Sequence, residues 1–261
     1  MDGLIREITR AYLGWRLLQG KRIDSYATSE KPLVFSDEGQ VLGKFIELNR
    51  SFKASSLEMR LIKAKLIASV YFLRNRFGER TPFQTYVRKT IGITPKPIPE
   101  PTINSARQEI TASLHRKRVA VQREDLVRRL KLETRKLVSR ACDYLGMENT
   151  LEVKFAFVEE DSYWTYYLDM DKGNPTLKIN SRRLGAIDQD TIRYAVMHEI
   201  CGHALQLASW LRNARLGKIS RVCQFQDDFG PEIFMLEGVA EAMPYFIFKE
   251  YLGQSFSTML S

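Results

Sequence analysis

Long apolar runs are missing from these 261 residues: no stretch approaches the roughly 20 consecutive apolar positions that a bilayer-spanning helix needs. The opening MDGLIREITRAY shows no basic leader followed by an apolar stretch and a small-residue cleavage site, so a cytoplasmic protein with no membrane partner is expected. Cysteine is scarce. Cys142, Cys201 and Cys223 are odd in number and include no CxxC pair, which argues against a disulfide framework or a four-cysteine zinc module and for reduced thiols. Histidine is equally scarce, with only His115, His198 and His203. Internal repeats and low-complexity tails are absent too. A 44% hydrophobic composition nevertheless suffices for a substantial core.

The net charge of +9 is unevenly spread, with 29 Lys/Arg against 16 Asp/Glu in residues 1–150 and 11 against 15 in the remainder. Clustered cations attract phosphates and acidic partners through a long-range, salt-sensitive field. The densest segment, 115–140, interleaves Val119, Val121, Leu126, Leu130, Leu132 and Leu137 with its charges, as a solvated helix covering a core does. It contains no aromatic side chain on which a base could stack, so nucleic acid is disfavoured as a partner.

Apolar spacing predicts helices over 4–18 and 56–77 and a short one over 82–91, making the front predominantly helical. The proline-dense ITPKPIPEPT at 93–102 reads as an extended connector. A long helix is expected from about 103 to 145. Alternation then marks strands in 151–160, YWTYYLDM and PTLKIN, the last two separated by the turn-like DKGNP. A helix over 188–213 follows, with Asp188 or Asp190 as N-cap, and a final one over 231–252 with Pro231 in its first turn. The expected fold is mainly α with a small antiparallel or mixed β-sheet. Its organisation is a helical region 1–102 and a region 103–261 carrying long helix, sheet and site, packed as one compact unit.

The chemistry concentrates in AVMHEICGHALQ, with His198, Glu199 and His203, and in MLEGVAEAMPYF, with Glu237 and Glu241. Two imidazoles and a carboxylate suit one zinc ion and leave a fourth position for water, whose pKa the metal lowers. Glu199, beside the first histidine, is placed to take that water's proton. Spacing is the difficulty. At about 100° per residue, side chains four apart diverge by about 40° on an α-helix, whereas five apart diverge by about 140°. A local bulge or unwinding at Ile200 to Gly202 is therefore predicted, with Gly202 supplying conformational freedom. Glu237 and Glu241, four apart, share one face, so Glu237 can ligate while Glu241 orients a ligand histidine from behind. Cys201 reads as a soft ligand or nucleophile, or more plainly as a small buried residue.

At these residues the sequence resembles the gluzincin metallopeptidases. HEICGH looks like the HExxGH motif of dipeptidyl-peptidase III, HEICGHALQ is similar to HEFGHAL of the carboxypeptidase Taq family, and the broadest similarity is to bacterial zinc-peptidase-like proteins with HEAxPGHHLQ followed by EGWA. The resemblance implies that His198, His203 and Glu237 hold zinc, that Glu199 is the catalytic base and that Glu241 supports a ligand. It also implies that PTLKIN lies along the cleft as a peptide-binding edge strand, making Asn180, Arg183 and Tyr166 candidate substrate contacts. A tetrahedral oxyanion needs a nearby donor. Tyr245, Tyr166, Tyr167 and Arg183 are candidates, each of which also reads as core or cleft wall, and another subunit of a homo-oligomer is an alternative source. The expected activity is zinc-dependent hydrolysis of a peptide or small amide. The alternatives are a biosynthetic metalloenzyme using the same site for other small-molecule chemistry and a non-catalytic binding protein on a peptidase scaffold.

Overall fold

The structure, a computed structural model, describes residues 2–21, 26, 28–96, 99–101, 104–105, 123–162, 165–171, 174–227 and 229–248; of Glu124, Met170, Asp171, Ala186, Pro244 and Tyr245 it describes only the backbone. It is mainly α-helical with one small mixed sheet. The chain divides into two compact units, Met1–Lys96 with Ser209–Met235, and Pro97–Ala208 with Leu236–Ser261. Residues 209–235 thus return to the front of the chain, a grouping that a division at 102/103 does not contain.

The first unit holds α1 (Asp2–Leu18), α2 (Glu38–Ser51), α3 (Leu57–Arg76) and α4 (Phe83–Thr90), joined by a 3-10 turn at Arg221–Gln224. Helix α2 was not delimited from the sequence, although Val41, Phe45 and Leu48 are its buried stripe and Asp37 caps it by accepting from Gln40 N at 2.9 Å. The core is aromatic: Tyr12 stacks on Phe225 with centroids 5.3 Å apart, and Phe72 on Phe229 at 4.1 Å. Four charges are threaded through it. Arg16 and Lys65 both bind Asp227, and Lys65 also binds Glu232.

In the second unit lies α5 (Arg123–Leu145), whose Leu126, Leu130, Leu137, Val138 and Ala141 are buried while Leu132 is 62% exposed. This is the solvated, core-covering helix expected of the basic segment; residues 106–122 lie outside the described residues. Strands β1 (Lys154–Val158), β2 (Tyr166–Asp171) and β3 (Asn174–Asn180) form a sheet in the order β1-β3-β2, parallel between β1 and β3 and antiparallel between β3 and β2.

This order corrects one expectation. PTLKIN is β3, the central strand, with ladders on both sides, so its backbone donors and acceptors are already committed and it cannot act as a peptide-binding edge.

A 3-10 turn (Ser181–Ala186) leads into one long helical stretch made of α6 (Gln189–Ala195), a π-helix (Val196–Ala204) and α7 (Leu205–Arg215). Asp188 caps its start, accepting from Thr191 N at 2.8 Å. The final described helix, α8 (Glu232–Phe246), buries Leu236, Ala240 and Met243 at helical spacing. No helix among the described residues is long and apolar enough to cross a membrane.

Candidate metal centre

The π-helix resolves the five-residue problem. Its wider turn, with i→i+5 hydrogen bonding, holds roughly 4.4 residues at about 82° each, so positions five apart come within about 50° of one another. The N–H of Leu205 accordingly donates to Ile200 O, five residues back. His198 and His203, about 140° apart on a regular α-helix, are brought together on one face, their Nε2 atoms 3.2 Å apart.

Gly202 has a different role from the one expected. It is not among the glycines at positive φ, so no unusual backbone conformation is asked of it. A Cβ at this position would lie 2.6 Å from Ala240 Cβ and 2.7 Å from Ala240 Cα. The missing side chain lets α8 approach the π-helix closely, and Ala240 lies between Glu237 and Glu241 on that helix. Close helix packing therefore delivers the carboxylate to the histidines.

Glu237 places Oε2 3.5 Å from His198 Nε2 and Oε1 3.5 Å from His203 Nε2. Among the described residues these three form a group able to hold a metal ion, with donor atoms all within 4.8 Å of one another. The dimensions provide a test of fit. Ligands about 2.0–2.1 Å from a tetrahedral zinc stand about 3.4 Å apart; the two Nε2 atoms are 3.2 Å apart and each lies 3.5 Å from a different oxygen of Glu237, so the carboxylate faces both rings and a small turn of its plane brings one oxygen toward the pair. His198 is buried, His203 partly so, and the Glu237 side chain is 48% exposed, leaving an open approach on the carboxylate side.

Electrostatics bind the group together. The imidazoles of His198 and His203, each 3.5 Å from a Glu237 oxygen, hold the Glu237 carboxyl well below the usual carboxylate range. Burial alone would lower the His198 pKa, but Glu237, Glu199 and Glu241 outweigh it and raise it. Burial pushes Glu199 up, offset in part by the charges of His198 and His203, which places its carboxyl within electrostatic reach of the metal-binding group. Such an acid, with a raised pKa, suits proton transfer near neutrality.

Behind His198 stands Tyr194, which sequence reasoning missed. Its hydroxyl donates to Glu241 Oε1 at 2.9 Å and lies 3.2 Å from His198 Nδ1, with the two rings stacked at 5.3 Å. The signal was present in its position four residues before His198, one α-helical turn away. Burial, together with Glu241, pushes its phenol far up.

The other named residues separate. Tyr166 opens β2 and faces the core; burial and then the charges of Glu199 and Glu241 push its phenol far up, so it belongs to the wall of the site. Tyr167 points to the opposite face of β2, where Lys178 Nζ sits 5.2 Å from its ring centre. Asn180 is fully buried, accepting from Arg182 N and exchanging hydrogen bonds with the Glu160 backbone, which commits it to the turn after β3. Arg183 is exposed and donates to Ser162 O. Tyr245 lies in α8, but its side chain is outside the described residues. Cys201 is fully buried and its thiol pKa is raised by burial, the behaviour of a small core residue.

A cavity of ≈ 370 Å³ in the first unit, walled by residues such as Leu61, Ile62, Trp210 and Phe225, contains none of these residues. Size alone would favour it as a binding site. The convergence of histidines, carboxylates and shifted pKa values favours the metal group instead. Comparison with known protein families, with curated proteins and with solved structures finds no match to this chain.

Proposed function

We propose that this chain is a zinc-dependent hydrolase of the gluzincin type, acting on a peptide or other amide bond. The observation that carries the reading is the convergence of His198 Nε2 and His203 Nε2, 3.2 Å apart, with the Glu237 carboxylate, a different oxygen of which lies 3.5 Å from each, and with Glu199 beside them. Zinc bound there supplies Lewis-acid polarisation and acidifies water. Glu199 accepts the proton of the attacking water and returns it to the leaving nitrogen, a role for which its burial-raised pKa fits it. Tyr166, kept protonated by its burial, is the donor we assign to the developing oxyanion. We place it in the cytoplasm, a reducing setting that its three free thiols suit.

The central position of β3 favours a second reading. With that strand paired on both sides, the expected peptide platform is lost, which suits a small amide or a non-peptidase metalloenzyme.

Elemental analysis of the purified protein tests the metal: near-stoichiometric zinc is expected in the wild type and little in folded His203→Ala or Glu237→Ala. Glu199→Gln is expected to keep zinc and lose about 10²–10⁴-fold in turnover. Solvent ¹⁸O appearing in the product separates hydrolysis from other chemistry. A zinc-loaded Glu199→Gln protein with undiminished turnover overturns the mechanism.

A further inference from the structure

The Nδ1 side of His198 is as closely built as its Nε2 side. Tyr194 Oη is 2.9 Å from Glu241 Oε1 and 3.2 Å from His198 Nδ1, whereas Glu241 Oε1 is 3.5 Å from Nδ1. The carboxylate alone is thus too far for a good hydrogen bond to the ring, and the phenol bridges the gap. A phenol has one proton, and an ionised carboxylate can only accept. The Tyr194 proton therefore goes to Glu241, and its oxygen faces His198 with lone pairs. That contact is favourable only when Nδ1 carries a hydrogen. A neutral imidazole protonated at Nδ1 has its lone pair on Nε2, the atom that faces His203 and Glu237.

We propose that Tyr194 is a positioning residue: together with Glu241 it orders the protons so that His198 is held as the Nδ1–H tautomer, with its Nε2 lone pair aimed at the metal position. The stacked contact between the two rings, 27° between planes, fixes the orientation that the proton order requires. The inference rests on the metal-centre reading, but the tautomer it predicts exists without metal. Tyr194 itself touches neither metal nor substrate.

The test uses the full chain as wild type, Tyr194→Phe, Glu241→Gln and the double variant, with folding checked by circular dichroism. Imidazole ¹⁵N shifts of the metal-free proteins, recorded above the pH at which His198 loses its extra proton, distinguish the tautomers. Zinc affinity is read by chelator competition. The wild type is expected to show Nδ1–H at His198, and Tyr194→Phe a shift toward Nε2–H with zinc bound about 10- to 100-fold more weakly. Glu241→Gln should act in the same direction, and the double variant should lose less than the product of the two losses. A folded Tyr194→Phe protein with unchanged tautomer and affinity overturns the proposal; if that variant does not fold, the same result for Glu241→Gln overturns it. A wild type that binds no zinc sinks the metal-centre reading, while the tautomer measurement still decides the role of Tyr194.

Discussion

Replacing Gly202 with alanine adds one methyl group where the π-helix meets α8. That methyl would lie 2.6 and 2.7 Å from Ala240 Cβ and Cα, while carbon pairs rest at about 3.5–4.0 Å. The obstacle is backbone and Cβ, with no flexible side chain to swing aside, so the helices must part by about 1 Å. Glu237 lies one turn before Ala240 and moves with it. A shift of that size carries its oxygens beyond the separations that suit zinc. Overpacking of this kind costs about 1–3 kcal/mol; split evenly between folding and metal binding, it should lower zinc affinity roughly two- to tenfold. Chelator competition and thermal melting, run side by side, measure both parts. Gly238→Ala is the control: it lies in α8, on the other side of this contact, with nothing within 4 Å of an added Cβ, and losing a mid-helix glycine should stabilise by roughly 1 kcal/mol with zinc binding intact. A Gly202→Ala protein that melts and binds zinc like the wild type refutes the packing argument.

Two further predictions concern the buried charges of the first unit. Burial alone would raise the Asp227 pKa, but Lys65 and Arg16 and their hydrogen bonds outweigh it and hold it below its ordinary value of 3.8. The unfolded chain thus binds the proton more readily, so the stabilisation is complete above about pH 4 and drains away as pH falls through the lower folded value. Urea unfolding midpoints from pH 6 downward should fall steeply in that acid window for the wild type and less steeply for Asp227→Asn. Arg16→Met leaves buried Asp227 with Lys65 as its remaining cation and should cost about 3–5 kcal/mol, part of which the double variant with Asp227→Asn should restore. Equal unfolding free energies for wild type and Arg16→Met would show that the pair contributes no net stability.

Much of this architecture is written in local pattern. The periodicity of 4–18 and 56–77 locates α1 and α3 to within two residues at either end, because each helix has an apolar stripe and few interruptions. Helix α2 escaped because Gly39 and Gly43 dilute its pattern, although Asp37 and the Val41, Phe45 and Leu48 stripe were there to be read. The strands could be placed but not ordered. Alternation reports which face is buried and says nothing about which neighbour sits on either edge, so β3 was expected outside and lies inside. The spacing of His198 and His203 pointed to a local departure from α-helix, and the π-helix spans it. The space-saving role of Gly202 and the bridge from Tyr194 to Glu241 depend on a helix some 40 residues downstream, which no local window contains.

The π-helix carries a wider consequence. In a rigid α-helix, one residue inserted between two ligands would turn every later side chain by about 100° and take the second histidine out of reach. Here the extra residue is absorbed by a wider turn, like slack taken up in a cable, and α7 continues beyond it with Leu205 and Ala214 buried. Ligand spacing along a chain is therefore a reading of pitch as well as of motif. A search that insists on histidines four apart assumes the pitch and would pass over this site.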